Sequence, residues 1–341
     1  MKSYIYLSFL LLAYFFACKQ PKVQPESPTI KNPNVIVLNE GGFTYNNSDI
    51  SIINTDSNTT SNNVFYNKNK KKLGDVLQSV TLINQQYFWV LNNSNKIVIT
   101  DSAFNETNTL TGLISPRYIY NTQKNKIYVS DLYANKIAIV ILNPLHIHSY
   151  IKCAGWTENF TMDPFDKNYV WVSNKQKSKI YKIDCDNDLI TDSISTNTSP
   201  NEVICDKNKN LWVSCDGNSD NKEFSSFIKI NLSNKQKTII TSKSNFYSSK
   251  LTLNSNKDTL YWLDAGVKKM SVNENTYPET KIINADQKTL YGLSINPKTS
   301  EIWISDAKDY VQNGTVYRYS SQGTLTNSYN VGLIPNGFLF K

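Results

Sequence analysis

Hydrophobic and polar positions along this chain follow one recurring phrase. An apolar residue, an aromatic, an apolar residue and one further residue lead into Asn or Asp. The copies are Phe88-Trp89-Val90-Leu91-Asn92, Ile127-Tyr128-Val129-Ser130-Asp131, Val170-Trp171-Val172-Ser173-Asn174 and Leu211-Trp212-Val213-Ser214-Cys215-Asp216, the last with Cys215 inserted. Leu260-Tyr261-Trp262-Leu263-Asp264 and Ile302-Trp303-Ile304-Ser305-Asp306 complete the set, and Val35-Ile36-Val37-Leu38-Asn39 is a weaker seventh copy. The aromatic column recurs at steps of 39, 43, 41, 49 and 42 residues. A period near 40 residues, divided into short strands, is the signature of a β-propeller.

Within a unit the pattern predicts four antiparallel strands. Around Tyr128 these are Tyr118-Ile119-Tyr120, Ile127 to Ser130, Lys136 to Val140, and a polar edge at His148 to Lys152. The second strand is almost continuously apolar, as burial on both faces requires. The first copy has no strand before it, and the chain ends on a lone strand, Asn336-Gly337-Phe338-Leu339-Phe340-Lys341. Pairing that last strand with the N-terminal three closes the ring and removes exposed edges. The expected fold is all-β: a seven-bladed propeller of four-stranded antiparallel blades over residues 34–341.

The first 17 residues read as a lipoprotein signal peptide. Lys2 precedes an apolar run from Tyr4 to Ala17 that is shorter than the roughly 20 residues a spanning helix needs. Ala17-Cys18 after that run is similar to a bacterial lipobox and marks Cys18 for lipidation. Residues 18–33, with Pro21, Pro25, Pro28 and Pro33, read as a tether.

Lys and Arg exceed Asp and Glu, 36 to 28, but the positive residues are scattered apart from Lys68, Lys70, Lys71 and Lys72. A nucleic-acid reader concentrates its charge, so none is expected as a partner. Beyond Cys18 the cysteines are Cys153, Cys185, Cys205 and Cys215, without CxxC spacing, and the chain has only two histidines. No zinc-type ligand set is expected, and the disulfide state stays open.

In a propeller, loops from second to third strands share a face with the blade-to-blade connections. That face receives the longer, aromatic-bearing loops: Asn39 to Asn47, Asn92 to Asn95, Asp131 to Asn135, Asn174 to Ser178, Asp216 to Ser225 and Asp306 to Asn313. The opposite face has short turns such as Asn254 to Lys257. The ligand-binding candidates on the loop face are Phe43, Gln78, Asn93, Arg117, Tyr133, Trp156, Tyr247, Tyr291 and Tyr310. Rings beside amides suit a large ligand with apolar faces and a polar rim. Catalytic motifs are absent: there is no GxSxG, HExxH or phosphate-cradling glycine loop. The Asn or Asp ending each second strand is a candidate for a channel metal site of the hydrolase and lactonase kind, but recurrence in nearly every unit fits a turn role. We therefore expect no catalytic residues, no bound metal and no cofactor.

Several phrases carry a family resemblance: Asn39-Glu40-Gly41-Gly42-Phe43, Leu73-Gly74-Asp75-Val76-Leu77-Gln78-Ser79, Ser115-Pro116-Arg117-Tyr118, Ser130-Asp131-Leu132-Tyr133, the run from Tyr291 to Tyr310, and Gly332 to Gly337. Together they resemble the YncE-like propeller lipoproteins of Bacteroidetes, of the BtuG type. The resemblance implies a non-enzymatic protein of the outer membrane, lipid-anchored and exposed at the cell surface or held at the periplasmic leaflet. It implies capture of cobalamin, a corrinoid, as transported ligand, and delivery to a TonB-dependent outer-membrane transporter of the BtuB type. Two other readings stay open: the same propeller binding another nutrient or a protein partner, and a metal-dependent propeller hydrolase.

Overall fold

In the computed structural model, which describes residues 35–243 and 250–341, the alternating runs pair into seven four-stranded antiparallel sheets. We number the blades by their second strands: Val35–Asn39, Gln86–Leu91, Lys126–Asp131, Tyr169–Asn174, Asn210–Cys215, Thr259–Leu263 and Ile302–Asp306. In blades one, five and seven every residue of this strand is buried. The outermost strands instead alternate half-buried and exposed, as in Leu145–Lys152 and Leu189–Ser195. One face packs on the next sheet while the edge meets water.

The ring closes as the unpaired ends predict. The innermost strand of blade one is C-terminal, Pro335–Phe340, paired antiparallel with Val35–Asn39 through Val35 to Phe340 and Val37 to Phe338. Seven apolar clusters then fill the seven gaps between blades. The closing gap holds Val35, Val37, Trp303 and Val316, with Phe338 and Phe340 against them. Two buried indoles find polar partners locally: Trp171 donates to Asp163 and Trp212 to Asp206, each at 2.9 Å. Both carboxylates sit in the turn preceding the strand they serve.

Blade two departs from the sequence reading. Its second strand pairs Leu91 with Leu77, where blade three pairs Asp131 with Pro116 and blade seven Asp306 with Leu290. Leu91, not Asn92, therefore occupies the Asp position, and Phe88, not Trp89, is the counterpart of Tyr128. A shift of one residue moves a strand side chain to the opposite face. Trp89 accordingly packs with Tyr87 and Phe104 against blade one, while Phe88 faces blade three. In blade five the same count places Cys215 opposite Pro200, at the Asp position.

A six-residue helix, Val64–Asn69, which the periodicity did not predict, links blades one and two. The Asp49 carboxylate accepts from Phe65 N at 2.9 Å and Tyr66 N at 3.0 Å, satisfying two first-turn donors from far away in sequence. Cys153, Cys185, Cys205 and Cys215 are free thiols. Cys18, the signal segment and the tether lie outside the described residues.

Candidate functional site

Outside blade six, where Asp264 N donates within its own hairpin to Gly266, the second strands end with a hydrogen bond that ties the two kinds of loop to one face. The amides of Asn92, Leu132, Lys175, Asp216 and Ala307 donate to the carbonyls of Val76, Ser115, Trp156, Ser199 and Thr289, just before the inner strands begin. Several of the strand-ending side chains cap the turns, as their recurrence suggested. Asp131 Oδ1 accepts from Tyr133 N and Ala134 N at 2.8 Å, and Asn174 Oδ1 accepts from Lys177 N at 3.0 Å.

The inner strands then bulge at their first residues. The register slips between Leu77 and Ser79, Pro116 and Ile119, Thr157 and Phe160, Pro200 and Val203, and Leu290 and Leu293. An extra residue in a strand bends it and re-aims a side chain. Gln78, Arg117, Glu158, Asn201, Tyr291 and Asn336 thereby occupy equivalent positions at the mouth of the central channel. The residues one place beyond the second strands add Glu40, Lys175 and Asp216.

These side chains pair in groups around the mouth. Arg117 donates from Nε and Nη2 to the two oxygens of Glu158, both at 3.0 Å, and from Nη1 to Gln78. Glu158 is fully buried and the Arg117 side chain 18% exposed. Burial opposes the Arg117 charge, and the Glu158 carboxylate outweighs it, so the guanidinium is held above its ordinary value. Tyr291 Oη donates to Glu40 at 2.9 Å, and Asn336 Nδ2 reaches the same oxygen at 3.2 Å. Burial first, and then the Glu40 charge, push the Tyr291 phenol up. Lys175 pairs with Asp216 at 2.7 Å, and burial raises the Asp216 pKa despite that lysine. Trp156 lies between two cations, with Lys175 Nζ 4.7 Å and the Arg117 guanidinium 5.8 Å from its ring.

The mouth leaves several buried polar atoms without a hydrogen-bond partner: Trp156 Nε1, Asp216 Oδ1 and Asn336 Oδ1. Such atoms are uncommon in folded proteins, because desolvating them without a partner is costly. Around the mouth the loops raise aromatic rings into solvent. Phe43 is 68% exposed, Tyr133 70% and Tyr310 47%, and Tyr310 meets the half-buried Tyr291 edge-on at 5.9 Å. Tyr45 and Val311 extend this rim and escaped the sequence reading. Both directly neighbour turn residues with positive φ, Thr44 and Tyr310, a feature that composition does not reveal.

The predicted residues thus separate by role. Gln78, Arg117, Trp156 and Tyr291 belong to the mouth, and Phe43, Tyr133 and Tyr310 to the rim. Exposed Asn93 donates to Asp75 Oδ2 at 2.6 Å, which also accepts from Thr44 N at 2.9 Å. It ties the blade-two loop to the loop carrying Phe43. Tyr247 lies outside the described residues. Sequence reading singled out Glu158, Glu202, Asp216 and Glu40 only as carboxylates near the face. The places of Glu158, Asp216 and Glu40 in the mouth follow from the bulges and the one-past-the-strand positions, whereas Glu202 accepts from Ser214 Oγ. Among the described residues, no group of three or more His, Cys, Asp or Glu side chains converges as metal ligands do.

Fold and mouth together define a seven-bladed β-propeller whose polar site lies at one end of the central channel, inside a rim of exposed rings. The chain belongs to the family described as "Domain of unknown function (DUF5074)", whose model matches residues 34–341. Among solved structures it is similar to a quinoprotein alcohol dehydrogenase-like protein from Bacteroides thetaiotaomicron, at 12% identity and a TM-score of 0.69 over 90% of this chain and 78% of that one. It is also similar to a protein from Lactobacillus plantarum, at 10% identity and 0.66 over 90% and 98%. Virginiamycin B lyase from Staphylococcus aureus matches at 14% identity and 0.61 over 77% and 87%. At these identities the likeness shows the fold alone. No curated protein matches the chain.

Proposed function

We propose that this propeller is a lipid-anchored envelope protein that captures a corrinoid on its loop face, without chemical conversion, and passes it to a TonB-dependent outer-membrane transporter of the BtuB type. The observation that carries the reading is the pairing of exposed rings with buried, unpartnered polar atoms on one face. Phe43, Tyr133 and Tyr310 stand out around a mouth that holds Trp156 Nε1, Asp216 Oδ1 and Asn336 Oδ1. A corrin is broad and apolar on its faces and fringed with amides. It suits rings that cover a surface and polar groups that wait at its centre. The sequence phrases resembling BtuG-type lipoproteins include Phe43, Gln78, Arg117, Tyr133, Tyr291 and Tyr310. Tyr133 and Tyr310 cover the macrocycle in this reading, Gln78 and Asn93 meet its amides, and Arg117 meets its phosphate while keeping Glu158.

Isothermal titration with cyanocobalamin, with haem as control, tests it. Tyr133→Ala with Tyr310→Ala should weaken binding at least about tenfold, which is about 1.4 kcal/mol. Lys257→Ala, exposed in a turn of the opposite face, should leave it unchanged. No binding by folded wild-type protein overturns the corrinoid reading. The same face then serves another nutrient or a protein partner, for which its exposed rings are equally suited. Anchoring is tested separately: Cys18→Ser should abolish lipid labelling and release the protein from membranes, and unchanged labelling refutes it.

A further inference from the structure

The register of blade two has an effect at the opposite end of the molecule. Six of the seven inter-blade clusters contain at least one buried Trp or Tyr, such as Trp89, Tyr128, Trp171, Trp212, Tyr261 and Trp303. The cluster between blades two and three has Phe88 as its only ring, and is otherwise aliphatic. The cause is the one-residue shift, which sends Trp89 toward blade one. The interface is short of aromatic volume, and it gapes where the turns of the opposite face meet.

That gap is a cleft of about 420 Å³, within the lower part of the range typical of small-molecule sites. Its floor is apolar, with Phe88, Ile99 and Leu145. Its rim is made of neutral hydrogen-bonding side chains, among them Gln86, Asn108 and Asn125, and among the described residues no charged side chain lines it. Thr107 stands exposed at the lip, on the outer strand of blade two.

We infer that this cleft is a second binding site, for a neutral saccharide of one or two rings. A charged ligand would surrender its hydration with no counter-charge to replace it. A lipid chain would cover the rim amides and offer them no hydrogen bond beyond those Gln86 and Asn125 already make to Thr107 and Asn143. A peptide is usually held by main-chain bonds from an open strand edge. Here the polar groups are side-chain amides carried largely on turns. An amide offers a donor and an acceptor side by side, which matches adjacent hydroxyls, and a pyranose has an apolar C–H face for the floor. The site is remote from the loop face and independent of what binds there.

Saturation-transfer NMR and titration of the full chain test this. The probes are methyl glucoside, methyl galactoside, methyl mannoside and N-acetylglucosamine, with glucuronate and trialanine for comparison. At least one neutral sugar should bind. Thr107→Trp, which fills the lip from an exposed position, should weaken that binding at least about tenfold with an unchanged melting temperature. Asn125→Ala should weaken it several-fold, and cyanocobalamin titration should be the same in both variants and wild type. No binding of any neutral sugar up to about 10 mM overturns the inference. So does binding that Thr107→Trp leaves intact, or binding of glucuronate or trialanine in this cleft where the neutral sugars fail.

Discussion

Replacing Arg117 by Met removes both hydrogen bonds that reach the Glu158 carboxylate from the guanidinium, each at 3.0 Å. Glu158 has no solvent exposure to fall back on, and its partner only 18%. Removing one member of a buried ion pair costs about 3–5 kcal/mol, mostly because the other charge stays buried. At roughly 2 °C per kcal/mol, the lower end for a body of this size, melting should fall by about 6–10 °C. Glu158→Gln in the same background removes the stranded charge and keeps the shape. The Arg117→Met, Glu158→Gln double variant should therefore recover most of the loss, and a thermodynamic cycle should show strong coupling. Calorimetry on the wild type, both single variants and the double variant measures this. If Arg117→Met melts within about 2 °C of wild type, the guanidinium is not serving a buried carboxylate and the argument fails. Additive single effects would refute it equally. The rescued double variant also isolates function, because any further loss of ligand affinity in it reports contact between Arg117 and ligand instead of collapse of the mouth.

Ring closure predicts that deleting residues 336–341 leaves the Val35–Asn39 edge unpaired and removes two rings lying 6.2 and 5.9 Å from Trp303. With total stabilities of about 5–15 kcal/mol, the truncated chain should aggregate or melt far below wild type, and a wild-type melting curve would refute non-covalent closure. Asp163 makes stability acid-sensitive. Burial alone would raise its pKa, but Lys182 at 2.9 Å and the donors of Phe165 and Trp171 outweigh that and hold it below 3.8. A depressed carboxylate contributes stability above its unfolded value and loses it as pH falls through the folded one. Asp163→Asn should thus cost about 1–3 kcal/mol at pH 7 in urea unfolding, with the gap to wild type narrowing below about pH 4. A gap that stays constant or widens in acid contradicts the assignment.

The fold was legible because its main signal is physical and repeated. A strand buried on both faces is apolar at nearly every position, and the turn that follows wants a carboxylate or amide, as Asp131 shows by accepting from two backbone amides. Blade two was misread for the same reason. Tyr87-Phe88-Trp89-Val90-Leu91 is apolar on both parities, so nothing in the run says which ring faces which neighbour. Only the pairing of Leu91 with Leu77 settles it. The helix Val64–Asn69 was hidden because its first-turn donors are met by Asp49, which local spacing cannot reveal.

The site was half legible, and the bulges explain why. Arg117 and Tyr291 could be singled out by type and loop position, but Glu158 and Asn336 become their equivalents only once each inner strand is counted from its pairing partner. Asp216 follows the inserted Cys215, so the phrase places it among the turn residues when it belongs with Lys175 in the mouth. A one-residue offset that costs a strand little in apolar character therefore decides everything polar at its end. The same offset in blade two, acting on rings instead of charges, directs Trp89 toward blade one and leaves the cleft between blades two and three. Register is the variable that a propeller's repeats conceal, and in this chain both the paired polar groups at one face and the opening at the other follow from it.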